Sequence, residues 1–309
     1  MKLIHGDCFE WLQDIDNSSI DMCYIDPPFF TQRDFKQFND KWKSRGEYLT
    51  YMELRLIEIH RVLKDTGSIF LHCDHHMSHH LRILLDEVFG EKNFRSEIIW
   101  KRKTGSNSTS QKAIPSSHDT VFYFAKTKKA LYRVVYLKQD EKYIKGFFKY
   151  DDGDGKGLYR ITPLSTLSAS SSLIYNYKGY SPPKKGWRWT KERMEQAEKD
   201  GLLIFPKDKN GCINQKQYLS KNKGKPLGSI WAGVAKVSRP KYPTQKPEKL
   251  LERIIKCSTN EGDTVLDCFC GSGTTLAVAQ KLNRKWIGGD INEEAVKIAK
   301  KRLIKEILS

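Results

Sequence analysis

The sequence contains no run of about 18 or more apolar residues, the length a membrane-spanning helix requires. Its start, Met1-Lys2-Leu3-Ile4-His5-Gly6-Asp7, reads as a short strand and lacks the long apolar core of a secretory leader. There are only seven cysteines, and Cys23, Cys73, Cys257 and Cys268 sit inside apolar runs. That scatter argues against a disulfide scaffold and suits buried, reduced thiols in a cytoplasmic protein. No G-x-x-x-x-G-K-[ST] segment occurs, which excludes the usual phosphate-binding loop of nucleotide hydrolases. There is no internal repeat, so a solenoid is excluded as well.

What is present fits one α/β domain with room for a smaller lobe, at 309 residues and 35.8 kDa. The formal net charge is +17, and it is unevenly placed. Residues 126–249 hold 28 lysines and arginines against 11 acids, whereas the rest of the chain holds 26 of each sign. A surplus confined to one segment creates a directed field, which fits a polyanion-binding lobe better than a uniformly solvated lysine surface.

Residues 1–125 alternate strand and helix patterns. Met22-Cys23-Tyr24-Ile25 is a buried strand, residues 49–64 carry Met52, Leu56, Ile59 and Leu63 at helical spacing, and Ser68-Ile69-Phe70-Leu71-His72 is a second strand. A helix with Leu81, Leu84, Leu85 and Val88 on one face ends at Gly90, and strands are expected around 97–100 and 120–124. The alternation stops over residues 126–240, where glycine- and serine-rich patches, Pro182-Pro183 and Gly186-Trp187-Arg188-Trp189 surround one helix from about Thr190 to Lys199. It resumes over 241–309: a helix opening at Pro247, a strand to Leu266, a helix from Thr274, a strand from Lys285 and a closing amphipathic helix. The expected organisation is an α/β half (1–125), an inserted basic lobe (126–240) and a second α/β half (241–309), which the motifs below mark as catalytic half, target-recognition lobe and cofactor-binding half.

Two strands end in motifs that carry chemistry. Asp267-Cys268-Phe269-Cys270-Gly271-Ser272-Gly273-Thr274 is a strand, an acid and a glycine turn leading into a helix. That is the recipe for seating a ligand at the carboxyl edge of a parallel sheet, and Asp290 closes the next strand about 20 residues later, where an acid can bind ribose hydroxyls. A dinucleotide fingerprint needs a third glycine where this chain has Leu276, so S-adenosylmethionine fits the turn better than a nicotinamide cofactor. The second motif is Asp26-Pro27-Pro28-Phe29. Prolines have no N–H, so this turn offers only acceptors, the Asp26 carboxylate and the Pro27 carbonyl, beside an aromatic face. Two acceptors holding the hydrogens of a ring-conjugated amine would localise its lone pair and make it nucleophilic, while Phe29 stacks the ring.

Taken together and in this order, the motifs resemble the β class of amino-methylating DNA methyltransferases. In that family an Asp-Pro-Pro-aromatic motif precedes the target-recognition region and a Phe-x-Gly-x-Gly motif comes last. Tyr242-Pro243-Thr244-Gln245-Lys246-Pro247 resembles the family segment at the methionine end of the donor. Gly6-Asp7 resembles the motif beside its adenine, and His118-Asp119 resembles a further family motif. The resemblance implies a Rossmann-like, circularly permuted α/β fold with an inserted target-recognition lobe. It implies catalytic roles for Asp26, Pro27, Pro28 and Phe29. Donor contacts are implied from Asp7, Cys8, Thr244, Gln245, Lys246, Asp267, Phe269, Cys270, Gly271, Ser272, Gly273, Thr274 and Asp290.

It further implies S-adenosylmethionine as cofactor, double-stranded DNA as substrate, a homodimer, and a restriction–modification setting with a cognate endonuclease. The Asp-Pro-Pro opening favours adenine N6 over cytosine N4. Cys268 stands where the family often has proline, and Phe29 keeps the stacking face of the commoner tyrosine without its hydroxyl. No Pro-Cys dipeptide occurs, so the nucleophile of C5-cytosine methylation is not indicated. The alternatives are a cytosine N4 DNA methyltransferase, an RNA substrate and a non-catalytic nucleic-acid-binding protein. No metal is expected: Cys73-Asp74-His75-His76 with His79 and His80 lies where the family needs none, and Asp151–Gly155 lacks the twelfth-position acid of a calcium loop. Lys101-Arg102-Lys103, Lys184-Lys185 and Trp187-Arg188-Trp189 are candidate DNA contacts, each equally readable as surface or core.

Overall fold

The apolar runs at the two ends of the sequence meet in one eight-stranded sheet. The computed structural model describes residues 1–35, 38–102, 114–238, 240, 242 and 245–307. The sheet strands are β1 (Lys2–His5), β2 (Ile20–Ile25), β3 (Leu63–Cys73), β4 (Phe94–Lys101), β5 (His118–Ala125), β6 (Ile230–Trp231), β7 (Thr264–Asp267) and β8 (Lys285–Asp290). Their order is β1-β8-β7-β2-β3-β5-β4-β6, so the two C-terminal strands sit between the first two. Strands β1, β8, β7, β2 and β3 are parallel, and β5 runs antiparallel between β3 and β4. This is a mixed, parallel-rich α/β architecture of the Rossmann-like kind.

Strand β2 is buried along its whole length, as a central parallel strand covered on both faces must be. On one side it packs with helix α1 (Cys8–Leu12), α2 (Arg45–Val62) and α3 (Ser78–Leu85) in a core of Met52, Leu56, Ile59 and Leu81. On the other it meets α4 (Glu248–Ser258) and α5 (Thr274–Lys281) through Leu250, Leu251, Ile254 and Leu276. The closing helix α6 spans Glu293–Ile307. Pro247 stands one step earlier than expected, as the cap of α4 with extended backbone rather than as its first helical residue. Helix α3 stops at Leu85, and a π-helical turn carries the chain to Gly90, whose φ of +85° breaks the helix.

The chain divides into two compact units, Met1–Val135 with Leu227–Ser309, and Tyr136–Pro226. The second is narrower than the 126–240 segment marked by composition. Residues 126–135 still run along the sheet unit, where the Leu131 N–H donates to the Thr66 carbonyl (3.0 Å) and the Arg133 N–H to that of Cys257 (2.7 Å). Residues after Leu227 supply edge strand β6. The smaller unit has its own three-stranded antiparallel sheet, from Tyr159–Pro163, Leu203–Ile204 and Asn214–Tyr218, and its own core of Leu164, Tyr177, Tyr180, Trp187, Met194 and Ile213. Trp187 is fully buried there and donates its Nε1 to the Tyr175 carbonyl at 2.8 Å, so of the aromatic pair only half-buried Trp189 reaches the surface. Among the described residues no helix is long and apolar enough to cross a membrane.

Candidate active site

Because β2, β3, β7 and β8 are parallel, their carboxyl ends fall on one edge of the sheet. A cavity of about 420 Å³ opens there, within the range of small-molecule sites (roughly 300–1,000 Å³). Its wall includes Asp26, Pro27, Pro28 and Phe29 from the turn after β2. It also includes Asp267, Phe269, Cys270, Gly271, Ser272 and Thr274 from the turn after β7, with Asp290 at the end of β8, and Gln245 and Lys246 just before α4. The two motifs, separated by most of the chain, therefore share one cavity.

The glycine turn is held by its own backbone. The Cys270 N–H donates to the Gly289 carbonyl at 3.0 Å, and the Gly271 N–H donates to Asp290 Oδ2 at 2.8 Å. Gly271 (φ +49°) and Gly273 (φ +71°) adopt the left-handed conformation, and a Cβ on Gly273 would lie 2.8 Å from that of Ala299. Arg302 on α6 clamps the turn by donating to the Ser272 carbonyl (3.1 Å) and to Thr274 Oγ1 (2.6 Å). Asp267 is almost wholly buried, accepts the Phe269 N–H at 3.1 Å, and is pushed up to about 7 by burial, with the charges of Asp26 and Asp290 adding to the shift. Burial also raises Asp290, against the N–H groups of Asn292 and Gly271 that hold its charged form.

The Asp26–Phe29 turn is braced from behind. The Tyr48 hydroxyl donates to the Pro28 carbonyl at 2.8 Å. Asp40, 1 % exposed, gathers the loop that follows: it accepts the N–H groups of Phe30 (2.9 Å) and Thr31 (2.8 Å), the Thr31 hydroxyl (2.6 Å) and the Trp42 indole (3.1 Å). Phe29 stacks on His72 with ring centres 5.9 Å apart and planes 20° apart. His72 is fully buried between the Tyr24 hydroxyl (2.9 Å from Nδ1) and Asp119 Oδ2 (3.2 Å from Nε2), and the Arg102 guanidinium lies 3.1 Å from Oδ1 of the same aspartate. Burial alone would raise Asp119, but the His72 hydrogen bond and the charges of His72, Arg102 and Lys246 outweigh it and hold the carboxyl below its ordinary value. Asp26 Oδ2 is ion-paired with Lys246 Nζ, whereas Asp26 Oδ1 is buried without a hydrogen-bond partner among the described residues.

Not every residue singled out from the sequence lines the cavity. Asp7 caps α1 through the Phe9 N–H (2.9 Å) and is gripped by Arg55 Nη2 at 2.6 and 2.5 Å, while Cys8 is buried against Cys268. Gly273 shapes the turn without facing the cavity. Lys246 does line the cavity, and its ammonium pairs with Asp26 there. Thr244, Pro243 and residues 103–113 of the basic loop lie outside the described residues. Thr31, Asp40, Trp42 and Tyr51 line the cavity and had no motif to reveal them, and Tyr242, the first residue of the Tyr242–Pro247 segment, lines it too. Asp74, His75 and His76 bring potential metal-ligand atoms within 4.8 Å of one another, but the Asp74 carboxylate already accepts the His76 N–H at 2.9 Å. Asp152 is held by Lys216 and by the Tyr159 hydroxyl (2.7 Å), which makes its loop a braced corner.

A family model described as DNA methylase, of the N6/N4 methyltransferase type, matches residues 20–301. The chain belongs to this family. S-adenosylmethionine is the family's methyl donor. The chain is 30% identical over 300 residues to the type II methyltransferase M.EcaI of Enterobacter cloacae, covering 93% of this chain and 65% of that protein. It is 28% identical to the Mod subunit of the type III restriction-modification enzyme StyLTI of Salmonella typhimurium, covering 91% of this chain and 50% of that one. The chain thus spans between half and two-thirds of the length of these two relatives. Among solved structures, the fold resembles an M1.HpyAVI–SAM complex (TM-score 0.51, 18% identity, 98% and 99% of the two chains). It also resembles the PvuII DNA methyltransferase described as cytosine-N4-specific (TM-score 0.52, 21% identity, 97% and 85%).

The cavity fits the family's donor on its own terms. Its glycine turn carries no side chain at Gly271, where a Cβ would stand in van der Waals contact with Tyr242 (3.5 Å) and take up space in the cavity, while Phe269 offers an apolar face and Asp290 a carboxylate in the wall.

Proposed function

We propose that this chain transfers a methyl group from S-adenosylmethionine to adenine N6 in duplex DNA, within a restriction–modification system. The observation that carries the reading is Asp26 Oδ1: a buried acceptor without a partner among the described residues, in a cavity shared with the glycine turn. A buried oxygen left unsatisfied costs roughly 1–3 kcal/mol, so its retention here argues for a ligand that donates to it.

When bound, S-adenosylmethionine supplies an electrophilic methyl group on a positively charged sulfur. Asp290 and the Gly271–Thr274 turn would hold it. Asp26 Oδ1 and the Pro27 carbonyl accept the two hydrogens of the target amine, drawing its nitrogen towards tetrahedral geometry and localising its lone pair. Phe29, backed by His72, stacks the ring of a base that must first leave the duplex at a cost of a few kcal/mol. Positioning and fixed acceptors supply most of the rate, and no covalent intermediate on the protein is needed. The amine gains positive charge as its new bond forms, and Asp26 is placed to take the proton it then releases.

The basic lobe at 126–240, including the smaller unit, is assigned to DNA binding on the charge surplus concentrated in this part of the chain. Relatives named as type II methyltransferases and type III Mod subunits support a restriction setting with an endonuclease partner, and a homodimer follows from family resemblance. The test is incubation with unmethylated duplex DNA and S-adenosylmethionine, followed by nucleoside mass spectrometry. N6-methyladenine is the expected product; N4-methylcytosine would keep the pocket and correct the base.

A further inference from the structure

Lys246 reaches the amine pocket from the segment just before α4, 220 residues along the chain from Asp26. Helix α4 packs Leu250, Leu251 and Ile254 on the sheet face that carries Met22 and Tyr24 of β2, which delivers its amino end to the same edge as the Asp26 turn. Lys246 is 9 % exposed, its ammonium pairs with Asp26 Oδ2, and it sits 5.5 Å from the centre of the Phe29 ring. It therefore meets both the acid that would receive the amine and the ring that would stack the base.

A carboxylate free to rotate presents either oxygen to a ligand, and the wrong choice misaligns the amine. The ammonium on Oδ2 removes that freedom and leaves Oδ1, which is buried and has no partner among the described residues, as the acceptor. We infer that Lys246 is a positioning residue of the amine pocket: it fixes the Asp26 carboxylate so that Oδ1 alone faces the target amine. This rests on the methyl-transfer reading above and departs from placing Lys246 at the methyl donor. A positioning role costs rate at saturation, because the donor binds as before but the amine is aligned less often.

The experiment compares wild type with Lys246→Met, Lys246→Arg, Asp26→Asn and the Asp26→Asn/Lys246→Met double variant. Calorimetry reads S-adenosylmethionine affinity, and single-turnover assays on saturating unmethylated genomic duplex DNA read the methyl-transfer rate. Lys246→Met is expected to keep donor affinity within about twofold and to lose about a hundredfold in transfer rate. Lys246→Arg should recover at least about tenfold of that loss, and Lys246→Met should cost little more in the Asp26→Asn background. If Lys246→Met melts at the assay temperature, Lys246→Gln takes its place with the same expectations.

A tenfold or greater loss of donor affinity with an unchanged rate at saturation would overturn the inference, as would additive losses in the double variant. In either case an active wild type leaves the methyl-transfer reading standing. A wild type that binds the donor but transfers nothing to DNA removes the reading and the inference together.

Discussion

Asp26 and Asp267 stand at the carboxyl ends of adjacent parallel strands, each opening a turn, yet their surroundings differ. Asp26 keeps 17 % of its side chain exposed, has a lysine on one oxygen and leaves the other without a partner among the described residues. Asp267 is 2 % exposed, has no cation paired to it among the described residues, is satisfied by the Phe269 N–H and the Thr275 hydroxyl, and is raised to about 7. The first arrangement suits an acid that meets a ligand. The second suits an acid that shapes a backbone turn, since its bonds are spent on that turn. On the proposed function, one edge of one sheet carries two acids with separate tasks, which opposite substitutions should separate.

The largest effect is expected at the first turn. Asp26→Ala removes an acceptor aimed at the reacting nitrogen and should lower methyl transfer by about 10²–10³-fold or more, read as single-turnover rate on duplex DNA. Transfer at the wild-type rate would break the division of labour at once.

At the second turn the effect falls on stability. Asp267 binds its proton more tightly folded, at about 7, than unfolded, at about 3.9, so its contribution is complete below about pH 4. That contribution, of order a few kcal/mol, is lost as pH climbs through 7. Asp267→Asn should therefore raise the melting temperature of the ligand-free protein at pH 8 by several degrees and change it little at pH 4. Asp119 runs the other way, contributing stability above its unfolded value that disappears as pH falls through its lowered folded one. An Asp267→Asn protein whose melting temperature falls at pH 8 would mean the buried acid is ionised and needed as such.

Gly273→Ala tests the backbone of the same turn. A left-handed residue whose Cβ would sit 2.8 Å from Ala299 should cost roughly 1–3 kcal/mol in denaturant unfolding. The smallest effect belongs to the other unit. Lys184 and Lys185 are exposed there, and replacing both with alanine should weaken DNA binding alike for all sequences. It should also reduce the salt dependence of binding, by about one unit of slope for each phosphate that is no longer neutralised.

Where the chemistry is local, the sequence was readable. Asp26-Pro27-Pro28-Phe29, Gly271 and Asp290 stand where their motifs imply, because a strand end and its turn are set by neighbouring residues. The wound sheet was readable too, since apolar runs bounded by glycine, proline and acids mark buried parallel strands. Interactions made across the fold were not. His72 belongs to no motif, yet a histidine closing the buried strand Ser68-Ile69-Phe70-Leu71-His72 at the ligand edge was the one available signal for the wall behind Phe29. Asp40 had no motif either, because its loop is organised by bonds to residues nine and ten positions earlier. Lys246 reads as a donor residue because its sequence neighbours do; only the packing of α4 against β2 shows that its side chain turns to Asp26. The limits of the basic lobe were blurred for a related reason. Charge marks 126–249, whereas compactness marks Tyr136–Pro226, which holds 19 basic residues against 10 acidic ones and so about half of the surplus.

The most direct test of two acids with two tasks is a calorimetric titration of Asp26→Ala with S-adenosylmethionine, beside its transfer assay. The expected result is wild-type donor affinity in a protein that no longer methylates DNA. Loss of donor binding together with transfer would contradict it, and would mean that the two turns form a single binding unit.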